Sequence, residues 1–208
     1  MTQRTDLDIS TRGSSRAATS GAEGAFSSPV VTPYLGKVRA LVSPDRFDHI
    51  RRVAVLALQI ATSNGFTPED QDRVLLAALL HDAARDMSDE ELLSLAQPEN
   101  EVEAAHPLAM HGRAARRLAA RWGVRDPVVL GAIEGHVFGV RAGDAVGAAV
   151  YVADVSEPGR GVNDDVRALA MSDLWAAYAQ AVRSKVEYLQ REGKEIHPAT
   201  LRAYESLT

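Results

Sequence analysis

The sequence contains no cysteine among its 208 residues, and this absence limits the chemistry that the chain can carry. Disulfide bonds, thiolate nucleophiles and zinc sites with sulfur ligands are excluded, so a metal ion would have to be held by imidazole and carboxylate groups. A chain without cysteine also suits a reducing compartment. We therefore expect a cytoplasmic protein.

Three further features are missing: a long apolar run, an excess of basic residues, and sustained alternation of apolar and polar residues. No apolar stretch approaches the ~20 residues of a membrane span, and the N-terminal residues lack the apolar core of a signal peptide. The net charge of -5 argues against nucleic acid as a partner, because surfaces that bind it are basic. Without alternation, no strand is predicted.

The composition divides the chain into two unequal parts. Residues 1–28 are rich in Ser, Thr, Gly, Ala and Arg and contain few large apolar side chains, so burial cannot offset the entropy lost on ordering. We predict a disordered tail there. Residues 29–208 are predicted to form one all-α domain, a bundle of about seven or eight helices.

Capping residues mark the predicted helices. Ser43, Thr67 and Asp126 each precede a proline, which combines a side-chain cap with a favoured first helical residue. Ser88 and Glu91 have the spacing of a capping box. The remaining predicted helices are 107–123, 144–156, 172–191 with Ser172 as its cap, and a last one from Pro198.

The helix predicted after Ser172 is long and amphipathic. Its apolar stripe suits core packing or the interface of a homodimer, and both alternatives stay open. The stripe consists of Trp175, Tyr178, Val182 and Leu189.

A histidine and an aspartate, His81 and Asp82, are adjacent within the apolar segment LLAALLHDAARD, which we interpret as a helix. A carboxylate in such a segment has to be paired or coordinated. An adjacent His-Asp suits the centre of a dinuclear metal site, because a carboxylate can bridge two ions. Other polar residues interrupt other apolar segments, and we predict that they join this pair in one metal cluster: His49, His111, His136 and Asp154.

Each of these residues, taken alone, also has an ordinary structural explanation. A single histidine on a helix is more often a surface or hydrogen-bonded core residue than a ligand, and Asp82 could pair with Arg85. A metal cluster is favoured because it explains all six residues together. For His197 the structural explanation is favoured, and His106 is expected to cap the helix at Pro107 or to face solvent.

The order His…His-Asp…His…His…Asp resembles that of the HD-domain metal-dependent phosphohydrolases. The details are similar to the YqeK-type family of symmetrical diadenosine tetraphosphate hydrolases. The matching segments lie between residues 46 and 173. They are FDHIRRVAVLALQIA, LLAALLHDAARDMSDEEL, MHGRAARRL, DPVVLGAIEGHVFG and AAVYVADVSEPGRG.

The resemblance implies a set of ligands and site residues. Two metal ions are expected, with iron favoured and manganese or another divalent transition metal as alternatives. One ion would be held by His49, His81, Asp82 and Asp154, and the other by Asp82, His111 and His136. Catalytic roles are implied for Asp82, Arg85 and Arg160. Substrate contacts are implied for Arg85, Gly139, Glu157 and Arg160.

The chain departs from the family pattern at three positions. Arg85 stands where the family usually has lysine, so a planar fork replaces a point charge. Val137 and Phe138 stand where the family more often has threonine and a small or polar residue, although Gly139 is retained.

The implied reaction is hydrolysis of a dinucleoside tetraphosphate, a small-molecule partner, between its two central phosphates. A water activated by the two ions would attack, and two nucleoside diphosphates would leave. Two alternatives stay open. One is an HD enzyme that acts on another nucleotide, such as a mononucleotide or an alarmone. The other is a non-catalytic HD module that binds nucleotide, which the complete set of ligands disfavours.

Overall fold

The computed structural model describes residues 24–207. Residues 1–23 of the predicted tail lie outside this range. Of the five tail residues inside it, Ala25 is buried and Phe26 packs against the core. The packed part of the chain therefore begins no later than Ala25, because the side chains of Ala25 and Phe26 pack against the helices.

Eleven α-helices lie between Thr32 and Glu205, and a single helical turn at 24–26 precedes them. They are α1 (Thr32–Arg39), α2 (Pro44–Ser63), α3 (Pro68–Leu80), α4 (Asp89–Leu95), α5 (Glu101–Ala105), α6 (His111–Arg121), α7 (Pro127–Gly135), α8 (Ala145–Ser156), α9 (Asp164–Ala170), α10 (Leu174–Arg191) and α11 (Pro198–Glu205). Two short 3-10 segments occupy Pro107–Met110 and Pro158–Arg160.

The all-α prediction is confirmed, since residues 24–207 contain no strand, but the described helices outnumber the seven or eight expected. The helices absent from the prediction are α1, α5 and α9, which have eight, five and seven residues. So few residues contain too few turns for an apolar period to stand out. The helix predicted from Pro107 is divided, with a 3-10 segment before α6.

Most of the predicted caps are present. The side chains of Ser43, Thr67 and Asp126 accept hydrogen bonds from amides in the first turns of α2, α3 and α7. The capping box of α4 is formed in both directions. Ser172 was the wrong cap for α10. Asp173 caps that helix, since its Oδ1 accepts a hydrogen bond from the Ala176 amide at 2.9 Å. The Ser172 hydroxyl instead donates a hydrogen bond to the carbonyl of Leu169, three residues earlier.

Helix α8 lies at the centre of the fold and packs against α2, α3, α7, α9 and α10. Every residue from 146 to 153 is buried. A helix that is apolar on all sides belongs in a core, and its many alanines let five neighbours approach closely. The last turn of α8 carries Asp154, so the central helix also fixes one of the predicted ligands.

The apolar stripe of α10 is only partly buried. Tyr178 and Val182 are in the core, as predicted, whereas Trp175 is 42% exposed. Trp175 lies in the first turn of the helix, where its ring contacts the Tyr178 ring edge-on, with 5.9 Å between the ring centroids. Within residues 24–207, no helix combines the length and the hydropathy that crossing a membrane requires.

The contact between α6 and α7 depends on a glycine. A Cβ atom on Gly112 would lie 2.8 Å from the Glu134 carbonyl oxygen and 2.8 Å from a methyl group of Val137. We expect Gly112→Ala to lower the free energy of unfolding by about 1–3 kcal/mol, because a backbone carbonyl cannot yield as a flexible side chain can. Urea denaturation measures the change.

Gly131→Ala is the matched control, because Gly131 lies within α7 and no atom surrounds its Cβ position within 4 Å. This substitution should be neutral or stabilise the protein by up to about 1 kcal/mol. Equal effects of the two substitutions would contradict the close approach of α6 to α7.

Candidate metal centre

His81 and Asp82 lie just beyond a helix and not inside one. Helix α3 ends at Leu80, and residues 81–86 form consecutive turns. The ring of His81 donates from Nδ1 to the Ala78 carbonyl at 2.7 Å, the acceptor that the Asp82 amide would use if the helix continued. The apolar pattern continues through Ala83 and Ala84, which is why the sequence indicated a longer helix.

The six predicted ligands converge on one place in the fold. They come from α2 (His49), the turn after α3 (His81 and Asp82), the first residue of α6 (His111), the end of α7 (His136) and the last turn of α8 (Asp154). All but Asp154 are buried, and its side chain is only 13% exposed. Donor atoms of these residues form several groups of three within 4.8 Å of one another.

Asp82 lies between two sets of imidazoles. Its Oδ1 atom is 3.3 Å from Nε2 of His111 and 3.4 Å from Nε2 of His136. Its Oδ2 atom is 3.7 Å from Nε2 of His49 and 3.6 Å from Nε2 of His81. Asp154 adds a second carboxylate beside the latter pair, with Oδ1 3.1 Å from His49. Each oxygen of Asp82 thus faces its own pair of nitrogens.

All four rings turn the same nitrogen outwards. Nδ1 of His81, His111 and His136 each contacts the carbonyl oxygen three residues earlier, at 2.6–2.7 Å. Nδ1 of His49 lies 3.1 Å from Oε1 of Glu157. Oxygen acceptors such as these require a proton on Nδ1, so in the neutral rings Nε2 carries a lone pair directed into the cluster.

These lone pairs lack protein partners. Nε2 of His49 and of His81 is buried without a hydrogen bond among the described residues. Nε2 of His111 and Nε2 of His136 lie 3.0 Å apart, although both rings already use their Nδ1 protons elsewhere. Two facing lone pairs repel each other unless a cation lies between them. The donor set, four imidazoles and two carboxylates, therefore fits divalent transition-metal ions.

The charges also fit metal binding. Burial opposes ionisation of Asp82, but the neighbouring imidazoles outweigh it and hold the pKa of that carboxyl well below its usual range. Burial also opposes ionisation of Asp154, but the neighbouring imidazoles of His49 and His81 and the charge of Arg160 outweigh it and lower the pKa of that carboxyl. Burial lowers the pKa of His111. At neutral pH both carboxylates are ionised and His111 is neutral, which are the forms that bind metals.

Glu157 contacts the cluster through His49, on the side of the ring that faces away from the other ligands. Its side chain is 1% exposed and contacts His49, Arg52 and the Gly159 amide. Burial alone would raise the pKa of Glu157, but these hydrogen bonds lower it to about 2. Since both carboxylate oxygens are already occupied, Glu157 orients His49 in this structure, and its predicted substrate contact stays a prediction.

Two arginines contact the carboxylates of the cluster, and a third lies nearby in the sequence. Arg46 Nη1 lies 3.0 Å from Asp82 Oδ2, so Asp82 pairs with Arg46 and not with Arg85. Arg160 Nη2 lies 2.5 Å from Asp154 Oδ1. Arg85 is half-buried, and its side chain has no ion pair within residues 24–207. Two of the three arginines thus contact the carboxylates of the cluster directly.

The other predicted residues lie further from the cluster. Gly139 has a φ of +111°, and a Cβ atom there would lie 2.6 Å from the Ala203 side chain. The backbone conformation and the close contact therefore explain why a glycine stands at this position. Its predicted substrate contact stays a prediction. His106 is exposed and makes no capping bond. His197 is a buried, hydrogen-bonded residue that caps α11 and contacts Glu103.

The sequence prediction missed Arg46 and Arg52. Both lie three residues from His49 on α2, one before it and one after it. Residues three apart on a helix are neighbours on its surface, so this spacing was the signal that could have identified both arginines.

We expect Glu157→Gln to lower the free energy of unfolding by about 1.5–3 kcal/mol at neutral pH, because the charged hydrogen bonds to Arg52 and His49 weaken. A carboxyl whose folded pKa is depressed stabilises the protein above its unfolded pKa of about 4.3. The difference between wild type and variant should therefore shrink as the pH falls from about 4.3 towards 2. Urea denaturation of metal-free protein across this range measures it, and a difference independent of pH would contradict the assignment.

Comparisons with known proteins agree with this geometry. The sequence profile of the HD domain matches residues 46–172. The symmetrical bis(5'-nucleosyl)-tetraphosphatase of Bacillus subtilis is 30% identical over 179 residues, which cover 82% of this chain and 93% of that protein. A probable nicotinate-nucleotide adenylyltransferase/Ap4A hydrolase of Mycoplasma genitalium is also 30% identical, over 152 residues. The match covers 68% of this chain but only 42% of that longer relative.

A solved structure has the same fold. A predicted HD superfamily hydrolase involved in NAD metabolism from Clostridium acetobutylicum superimposes with a TM-score of 0.76 and 25% identity. The match covers 83% of this chain and 94% of that one. The profile, the relatives and the fold agree with one another. The chain belongs to the HD-domain family and is an HD hydrolase.

Proposed function

We propose that the protein hydrolyses diadenosine tetraphosphate and related dinucleoside tetraphosphates symmetrically, at a centre of two divalent metal ions. The observation that carries the proposal is the position of Asp82, whose two oxygens each face a separate pair of imidazoles. The named activity of the Bacillus relative supports the choice of substrate. Iron is the proposed metal, with manganese as the alternative.

We assign one proposed metal position to each pair of imidazoles. His111 and His136 would hold one ion with Oδ1 of Asp82. His49, His81 and Asp154 would hold the other with Oδ2 of Asp82. When bound, the ions would lower the pKa of a water molecule and take up charge at the attacked phosphorus. The buried carboxylate of Asp82 would then be the bridge between them.

The arginines supply the second part of the proposed site. A tetraphosphate is strongly anionic, and guanidinium groups bind phosphate oxygens through two parallel hydrogen bonds. Arg160 and Arg46 already lie against the cluster carboxylates. Arg85 follows Asp82 by three residues and has no ion pair within residues 24–207. We propose that these arginines orient the phosphate chain, so that the central anhydride lies over the cluster.

The reaction adds one water across the bond between the second and third phosphates, and each half leaves as a nucleoside diphosphate. Purified protein loaded with iron or manganese should therefore convert diadenosine tetraphosphate to ADP alone, as measured by ion-exchange chromatography of the products. AMP with ATP would show asymmetric cleavage and contradict the proposal. Turnover of a mononucleotide or an alarmone in place of this substrate would assign the centre to another nucleotide.

Asp82→Asn should lose both ions together, because the substitution removes the proposed bridging charge while keeping the side chain's size. We expect the hydrolysis rate to fall on the order of a thousandfold or more. Metal content by mass spectrometry and turnover on the same preparation measure the two effects. Asp165→Asn, at an exposed carboxylate of α9, is the control. An Asp82→Asn protein that retains two ions would disprove the bridge.

Arg160→Met should reduce kcat/KM about 10- to 100-fold while leaving the metal content unchanged, since a charged hydrogen bond to phosphate contributes about 1.5–3 kcal/mol. Arg141→Met removes an equal charge from an exposed position and should have little effect. Steady-state kinetics with diadenosine tetraphosphate makes the comparison. Equal kcat/KM for the two variants would exclude phosphate contact by Arg160.

A further inference from the structure

Lys185 on α10 places its ammonium group beside the segment that follows the predicted ligand His136. Nζ donates a hydrogen bond to the Val137 carbonyl, in the residue that directly follows His136. The ammonium also lies 5.8 Å from the ring centroid of Tyr151 and 6.0 Å from that of Phe138. The sequence prediction did not single out Lys185.

The ammonium of Lys185 has no acidic partner. No carboxylate lies within ion-pair distance of it in residues 24–207, although an ammonium taken out of water normally needs a counter-charge. Burial lowers the pKa of Lys185 to about 8, and only the charge of Asp154 partly opposes this shift. The positive charge is thus kept at an energetic cost, which an anion at this place would offset.

A second polar group beside Lys185 also lacks a partner. The Tyr151 hydroxyl is buried without a hydrogen bond among the described residues. Tyr151 lies one turn before Asp154 on α8, so its ring is on the same side of that helix as the ligand. Lys185, which has no carboxylate partner, thus lies beside a buried hydroxyl-bearing ring that has no hydrogen bond among the described residues. Lys185 contacts the carbonyl after His136, and Tyr151 is one turn before Asp154.

Lys185 and the arginines contact different parts of the site: Lys185 contacts the carbonyl after His136, whereas Arg46 and Arg160 contact the cluster carboxylates. Arg46 contacts Oδ2 of Asp82, while His136, next to the Lys185 contact, faces Oδ1. A symmetrical substrate extends in two directions from its central anhydride. Binding such a substrate therefore calls for cations beside both proposed metal positions.

We propose that Lys185 is a substrate-binding residue that contacts a phosphate oxygen on the His136 side of the centre, opposite the phosphates held by Arg46 and Arg160. This inference rests on the proposed function, because it requires a polyphosphate chain long enough to pass over both metal positions. Lys185 would serve as the counterpart of the arginines for the second nucleoside diphosphate.

The test is binding of a diadenosine tetraphosphate analogue with a methylene group between the central phosphates, which resists hydrolysis. Isothermal titration calorimetry on metal-loaded protein should show that Lys185→Met weakens binding about tenfold or more, since a charged hydrogen bond is lost. Lys194→Met, which removes an exposed lysine beyond the end of α10, should bind like wild type. Metal content should be unchanged in both variants.

Thermal unfolding separates a binding role from a structural one. Methionine keeps the length of the side chain and removes a poorly compensated charge, so the Tm of Lys185→Met should equal or exceed that of wild type. Equal affinity of Lys185→Met and wild type would overturn the inference, as would weaker binding accompanied by loss of metal or a lower Tm. Wild-type protein that neither binds the analogue nor cleaves diadenosine tetraphosphate would contradict both the inference and the proposed function.

Discussion

The buried carboxylate of Asp82 is the constraint on which the arrangement of the site depends. It is 3% exposed and ionised, so the fold has to surround it with groups that stabilise a negative charge. Four imidazoles and one arginine lie within 3.7 Å of its two oxygens. The packing of α3, α7 and α8 around it is therefore inseparable from the chemistry of the centre.

Helix ends provide the geometry that a carboxylate and four imidazoles require. His81 and His136 are the residues directly after α3 and α7, and His111 directly follows a 3-10 turn. At such positions the side chain can reach back to a main-chain carbonyl three residues earlier while the other ring nitrogen faces inwards. Because the supporting helices pack on the apolar core helix α8, the rings lie on a rigid base.

The sequence was sufficient to predict the all-α class and to group the six polar residues. Histidines and aspartates that interrupt several apolar segments are explained together if they meet at one site. It was insufficient where tertiary contacts decide. The apolar period runs past Leu80 and concealed the turn at His81, and Trp175 fits the stripe of α10 but is 42% exposed. The contacts of Arg46 and Lys185 depend on long side chains reaching between helices, which periodicity does not describe.

The main-chain carbonyls that hold three of the four rings have a consequence for tolerance to sequence change. Every residue carries a main-chain carbonyl, so any replacement of Ala78, Leu108 or Ile133 that preserves the local backbone leaves the acceptor in place. The ring of His49 is held instead by a side chain, Glu157. A random substitution can therefore misalign this imidazole more readily than the other three, and the sensitive position is Glu157, which directly follows α8.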